Sequence, residues 1–327
     1  MFPSEDARSS ACETSCQSHR NARSIRAAFL VSLGIIFACC IPLANAQTSF
    51  FTSWEGRVRK TVAEQPAWPV PVATPPSGLV QLARFDAIRQ ITSTHTETWI
   101  YGNSKGFDLI PWYKTEVDVT LPSYIEHNSN VRDGAGDWLV LAKYRFLAAG
   151  PMHGDYSFSG SLNGSLPTGS YKNGSSDGSI APTLYGGKGF GRFDAQSSVA
   201  ITLPTGHTSK SGRPIAWNSV AQYRATRLFW PEIEFNSTYY RGGPSDGRIQ
   251  AFVTPGLMVS KVKFSRESNS RLAFIFGGGM QIATSEFHSY NHAIIATAYL
   301  VLMLFGCPQW EAPYLKVKRL WSLRNLS

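Results

Sequence analysis

The 327-residue sequence predicts an all-β protein: an antiparallel up-and-down transmembrane β-barrel of about 12 strands, with 10 as the alternative count. Three observations predict it. Apolar and polar residues alternate with a period of two over segments of strand length. Aromatic residues gather near the ends of those segments. Leu-Pro pairs punctuate the chain at repeated strand exits. A soluble sandwich, with one apolar face turned to a core, gives the same period. Polar faces rich in Ser and Gly rather than in charge favour a wet lumen and a lipid-facing outer wall.

Composition narrows the class. The chain is 43% hydrophobic, 13% aromatic and 16% charged, with a mean hydropathy of −0.14. Many aromatics and few charges exclude a disordered chain. Ala293 to Phe305, interrupted by Thr297, is the longest apolar run after the N-terminal region. It is shorter than the roughly 20 residues of a spanning helix. The formal charge of +9 is spread without a dense basic run in the body, so nucleic acid is not a predicted partner.

Taken in order, the chain opens with Arg20, Arg23 and Arg26, an apolar run from Ala27 to Leu43, and Ala44-Asn45-Ala46. A basic region, an apolar region and an A-x-A site read as a bacterial-type signal peptide, 1–46, cleaved between Ala46 and Gln47. An uncleaved membrane anchor is one alternative. A lipoprotein box at Ile36-Phe37-Ala38-Cys39 is another, and Phe37 fits it poorly. Cys12, Cys16, Cys39 and Cys40 precede the cleavage site, which leaves Cys307 alone. No internal disulfide or Cys-based metal site is therefore expected in the mature chain. Residues 47–80 read as a periplasmic segment: a short helix over Gln47–Glu64, then a stiff Pro-rich linker from Gln65.

The barrel is expected over 81–305. Phe85 to Tyr101, with Ile88, Ile91, Thr96, Thr98 and Trp99, supplies two strands or none, because an odd number breaks the parity of a closed barrel; two gives twelve. Tyr113, Val117, Val119 and Leu121 alternate with Lys114, Glu116, Asp118 and Thr120. A strand at about Asp137–Phe146 follows. Tyr156, Phe158, Leu162 and Leu166 then alternate with Asp155, Ser157, Ser159, Ser161, Asn163 and Ser165. Further strands fall at about 180–188, 193–203, 216–228, 232–240, 248–260, 271–283 and 291–302.

Leu121-Pro122, Leu166-Pro167 and Leu203-Pro204 end three of these strands. Proline has no N–H to continue a ladder, and the Thr-Gly after two of the copies opens a turn. One strand fits between successive copies, so all three exits lie on one side. The links on that side are long and rich in Ser, Gly and Asn, while those opposite are short. Barrels of the outer membrane have short periplasmic turns and long outer loops, which puts the Leu-Pro exits outside. Residues 306–327 form a basic C-terminal tail.

The polar faces carry the candidate site. Lys114, Glu116, Asp118, Lys143, Arg145, Asp155, Asn163, Glu232 and Glu234 are the candidate lumen-lining residues. Both charge signs occur, so no strong ion selectivity follows. Glu232 and Glu234 share a face at i, i+2 and read as lumen carboxylates rather than as an acid/base pair, with no nucleophile beside them. His288, Ser289 and His292 lack a nucleophile elbow, and i, i+4 in a strand is too long a span to share a metal. Tyr185 to Arg192 is Gly-rich but opens no helix, so it reads as a turn and not a phosphate cradle. No catalytic, cofactor-binding or metal-binding residue is predicted.

The stretches GSLPTGSY, AITLPTGH, WPEIEFNSTYY and FIFGGGMQIA, within about Phe85 to Leu302, resemble the outer-membrane transporters associated with the meta pathway of phenol degradation. The resemblance implies a bacterial outer-membrane location and passive passage of small, aromatic or hydrophobic solutes. It implies no enzyme and no cofactor. The partners expected are outer-membrane lipid, the outer-membrane assembly machinery and a small solute the sequence does not identify. The alternatives are a structural or adhesive barrel that transports nothing and, behind it, a barrel lipid hydrolase. N-terminal sequencing of the exported protein is expected to start at Gln47; a start more than a few residues away, or an acyl group on Cys39, refutes the cleavage site.

Overall fold

The computed structural model describes residues 48–103, 105–263 and 272–302. The predicted leader 1–46, its Ala46–Gln47 cleavage site and the tail 306–327 lie outside the described residues. A helix, α1 (Thr48–Ala63), is followed by the Pro-rich stretch and then by strands. These are β1 (Leu82–Ile91), β2 (Glu97–Tyr101), β3 (Gly106–Trp112), β4 (Thr115–Thr120), β5 (Tyr124–His127), β6 (Gly134–Ala135), β7 (Trp138–Ala149) and β8 (Tyr156–Leu166). They continue as β9 (Ser179–Phe190), β10 (Phe193–Ile201), β11 (Leu203–Pro204), β12 (Ile215–Tyr223), β13 (Phe229–Tyr239), β14 (Ile249–Lys263), β15 (Leu272–Ala283) and β16 (His292–Leu302). A four-residue helix, α2 (Thr208–Ser211), lies in the loop before β12.

All pairings are antiparallel, and the sheet closes. β1 pairs with β16 along its whole length, from Leu82 opposite Val301 to Ile91 opposite His292. Its other side pairs with β2 and β3. Closure leaves no open edge. Among the described residues the barrel has twelve staves, because several segments are one stave interrupted. β2 and β3 both face β1, with a break at 102–105. β4 and β5 face β3 and β2, and β7 and β6 face β4 and β5. β10 and β11 both face β9. The last break has a visible cause: pairing lapses between Ala200–Thr183 and Leu203–Ile180, beside Pro182, which has no N–H to give. The two staves expected between Phe85 and Tyr101 are β1 and the stave β2–β3, which runs on to Trp112.

The two faces differ as the period of two requires. Phe158, Leu162, Leu184, Val199, Ile233, Phe276 and Ile294 point outward and are exposed, with Trp112 and Phe190 more than 60% exposed at the short-turn end. Trp99, Trp138, Trp217 and Tyr239 are exposed at the other end. An apolar band between aromatic girdles is the surface of a barrel set in lipid. The inward face holds the buried polar side chains, among them Ser157, Ser159, Asp194, Gln196, Gln222 and Thr297. Gly277 leaves the inward space that the Met258 side chain fills.

The repeated Leu-Pro-Thr-Gly exits are built alike. Thr168 accepts a hydrogen bond from the Trp138 amide at 3.0 Å, and Thr205 donates to the Gly178 carbonyl at 3.0 Å. Each threonine thus ties its exit to the neighbouring stave. The glycines are packed from outside: a Cβ on Gly169 meets the Gly174 backbone, and one on Gly206 meets Asp177. His207 joins the two loops through Asp177, at 2.9 Å, and this hydrogen bond holds the Asp177 carboxyl below the usual carboxylate range.

Two sequence expectations change. Tyr113 and Lys114 form the turn between β3 and β4, with Lys114 at φ 61°, so Lys114 does not sit within a strand on the lumen face. The Pro-rich stretch is not a linker outside the barrel; it runs through the interior. Leu162→Arg, midway along β8 on the outward band, is expected to cost roughly 2–4 kcal/mol on refolding into liposomes. Asn163→Arg, inward and clear of the Pro-rich stretch, is expected to refold as the parent does; urea titration of both variants in lipid checks this.

Candidate functional site

α1 caps the short-turn mouth. The Trp54 indole donates to the Ile110 carbonyl at 2.7 Å, and the Lys114 amide donates to Thr61 Oγ1 at 3.3 Å. Tyr113 donates to Glu64 at 2.6 Å. Arg145, 1% exposed, donates to the Thr61 carbonyl, to Gln65 Oε1 and to Glu64. From Gln65 the chain turns into the lumen, and it comes back out at Leu79. The Gln65 side-chain amide ties the two crossings together: Nε2 donates to the Leu79 carbonyl at 2.6 Å, and Oε1 accepts from the Leu79 amide at 3.0 Å.

The loop between them carries Pro66, Pro69, Pro71, Pro75 and Pro76. A polypeptide in a dry interior must bond every amide. Five prolines remove five donors from that requirement. Five of the remaining donors meet side chains of the wall. Val72 donates to Glu232 Oε1 at 2.9 Å, Ala73 to Glu234 Oε1 at 2.8 Å, and Thr74 to Glu234 Oε2. Ser77 donates to Gln196 Oε1 at 2.9 Å and Val80 to Glu116. The carbonyls are matched in turn. Lys143 Nζ donates to Pro76 at 2.8 Å and to Gly78 at 2.7 Å, Tyr299 donates to Pro71 at 2.9 Å, and Arg84 donates to Val72. Ser157 and Ser159 both donate to Ser77. Hydrogen bonds to charged groups are worth about 1.5–3 kcal/mol each, and removing one partner here strands a buried amide.

The lumen has two halves. On β14, β15, β16 and β1, Met258, Ile275, Ala293, Ile295, Tyr299, Leu82 and Ile88 form an apolar wall against Val70 and Val72 of the loop. Burying Val70 and Val72 there contributes roughly 1.5–3 kcal/mol each. The polar half, on β4, β7–β10, β12 and β13, supplies most of the hydrogen bonds, and Arg84 and Tyr299 add theirs from the other half. Gly187 of β9 leaves room for the loop: a Cβ there lies 2.5 Å from both Ser77 Oγ and the Trp68 ring. Trp68 also donates to Asp155 Oδ2 at 3.3 Å.

Six of the nine residues singled out in the sequence meet this loop or its stem: Glu116, Lys143, Arg145, Asp155, Glu232 and Glu234. Glu116 and Lys143 also form an ion pair at 3.5 Å. Asn163 faces inward and donates to Thr183 at 3.0 Å, away from the loop. Asp118 faces inward beside them on β4. Lys114 is in the turn, its ammonium 5.3 Å from the Tyr113 ring centre. Arg84 and Asp86 were missed. They pair at 2.8 Å on β1, Thr297 donates to Asp86, and Arg84 lies over the Tyr299 ring. Their inward parity on β1 was the signal. His288 bonds the Ser285 carbonyl and Asn291 within its own loop.

No family model matches this chain, and no curated protein matches it. Among solved structures it is similar to one described as a NanC porin, with a TM-score of 0.42 and 7% identity, covering 67% of this chain and 98% of that one.

Glu234 serves two loop amides, so Glu234→Ala is expected to loosen the loop by about 1.5–3 kcal/mol per lost charged hydrogen bond. Limited proteolysis within 66–78, compared with the parent in lipid, reads this out as faster cleavage while the barrel itself persists.

Proposed function

We propose that this chain is a bacterial outer-membrane β-barrel channel for passive passage of small solutes, and not an enzyme. The observation that carries the reading is a closed antiparallel barrel with an apolar, aromatic-girdled outer wall and an inner wall half of which is polar and charged. Such a wall is stable only with lipid around it, and a hydrogen-bonding interior is what water-soluble cargo needs. In this reading the export signal, the lipid partner and the assembly machinery follow from the destination. The long-loop end faces outward and α1 faces the periplasm. The kinship with transporters linked to phenol degradation belongs to the same proposal; it rests on the quoted stretches and on the apolar half-wall, which suits solutes with a hydrocarbon face.

A structural barrel that conducts nothing is the second reading, and the occupied lumen favours it. Liposome swelling separates the two. Refolded full-length protein, and a form lacking residues 48–80, are each assayed with small neutral and aromatic solutes. A folded barrel of either form that admits solute supports the channel; two folded forms that admit none refute it. Release of fatty acid from the liposomes refutes the non-enzymatic part.

A further inference from the structure

We infer that the loop Pro66–Gly78 is a displaceable gate, an autoinhibitory segment that holds the lumen shut and leaves through the short-turn mouth. This rests on the channel reading above and assigns its regulation.

The attachment of the loop is the first reason. Among the described residues, no backbone–backbone hydrogen bond joins 66–80 to a barrel strand. Every grip on the loop amides and carbonyls comes from a side chain, so the loop can leave without opening the barrel ladder. The groups it leaves behind are carboxylates, an ammonium, a guanidinium, hydroxyls and an amide, all of which water solvates in a wetted lumen.

The path is the second. Both crossings of the loop lie at the short-turn end. α1 leads to Gln65 there, and Leu82 starts β1 there, opposite the last residues of β16. The Gln65 amide joins the two crossings into one stem. The tip, at Thr74, bonds Asn236 at 3.2 Å and the Ser219 carbonyl at 3.4 Å, well up the staves. A hairpin with a tied stem, whose tip is held only by hydrogen bonds that involve side chains, withdraws as one body, with no chain to thread.

The fit is the third. Gly187 clears space on β9 for Trp68 and Ser77, and it needs no positive φ to do so. Its lack of a side chain serves the loop rather than the strand. A side chain at 187 is therefore a wedge aimed at the loop.

Single-channel conductance in planar bilayers tests the gate, with Cys12, Cys16, Cys39, Cys40 and Cys307 changed to Ser and folding checked by heat-modifiable gel mobility. The parent is expected to be closed most of the time. Gly187→Val is expected to raise the open fraction at least about tenfold, and a form lacking residues 48–80 to stay open. Thr74→Cys with Asn236→Cys, joined by a short thiol-reactive bridge that reduction cleaves, is expected to be silent while bridged and to recover when reduced. A parent that conducts as freely as the shortened form, a folded Gly187→Val that stays as closed as the parent, or bridged and reduced proteins of equal conductance each overturn the gate and leave the channel standing. A shortened form that folds and never conducts overturns the gate, and the channel reading with it if the folded parent never conducts either. If the shortened form does not fold, the bridged pair still decides.

Discussion

A peptide amide buried without a partner is the constraint on which this molecule turns. In the wall it is met by closure: β1 takes β16 on one side and β2 with β3 on the other, so no strand is left with a bare edge. Inside the wall it is met differently. The loop has no strand partner, so it reduces its demand with proline and satisfies five further amides with Glu116, Gln196, Glu232 and Glu234. The side chains that would otherwise be costly to bury become the reason that the loop can be buried.

Much of the wall was legible in the sequence, because a period of two exposes which residues face which way. Phe158 and Ser159 separate cleanly by their neighbours alone. The Leu-Pro exits were legible because proline marks a ladder's end whatever surrounds it. Lys114 was misplaced for a local reason. Tyr113 and Lys114 keep the alternation of the strand that follows, and nothing in the spacing marks a two-residue turn whose second member takes φ 61°. The loop was illegible as an occupant. Five prolines in a short polar-apolar stretch read as a spacer, and a spacer and a lumen filler obey the same local rules.

What could have hinted at the filler is the chemistry of the wall. Glu232 and Glu234 on one stave, Lys143 and Arg145 on another and Glu116 between β3 and β7 place strong donors and acceptors deep in the barrel. Each is at most 6% exposed. A hydrated pore wets such groups; these are covered, and only another piece of polypeptide offers both amides and carbonyls at the right intervals to cover them. The apolar half-wall around Met258 and Tyr299 says the same from the other side, since it too is covered, by Val70 and Val72.

The seam between β1 and β16 sets the order in which the molecule is built. It joins residues near the two ends of the barrel sequence, the kind of long-range pairing that forms late and slowly. Until it closes, the interior is a trough open along one side, and the segment before β1 can be laid into it from above. Once it closes, that segment can only come or go through the mouth. Maturation of the barrel therefore includes a last moment at which the segment before β1 is either enclosed or shut out.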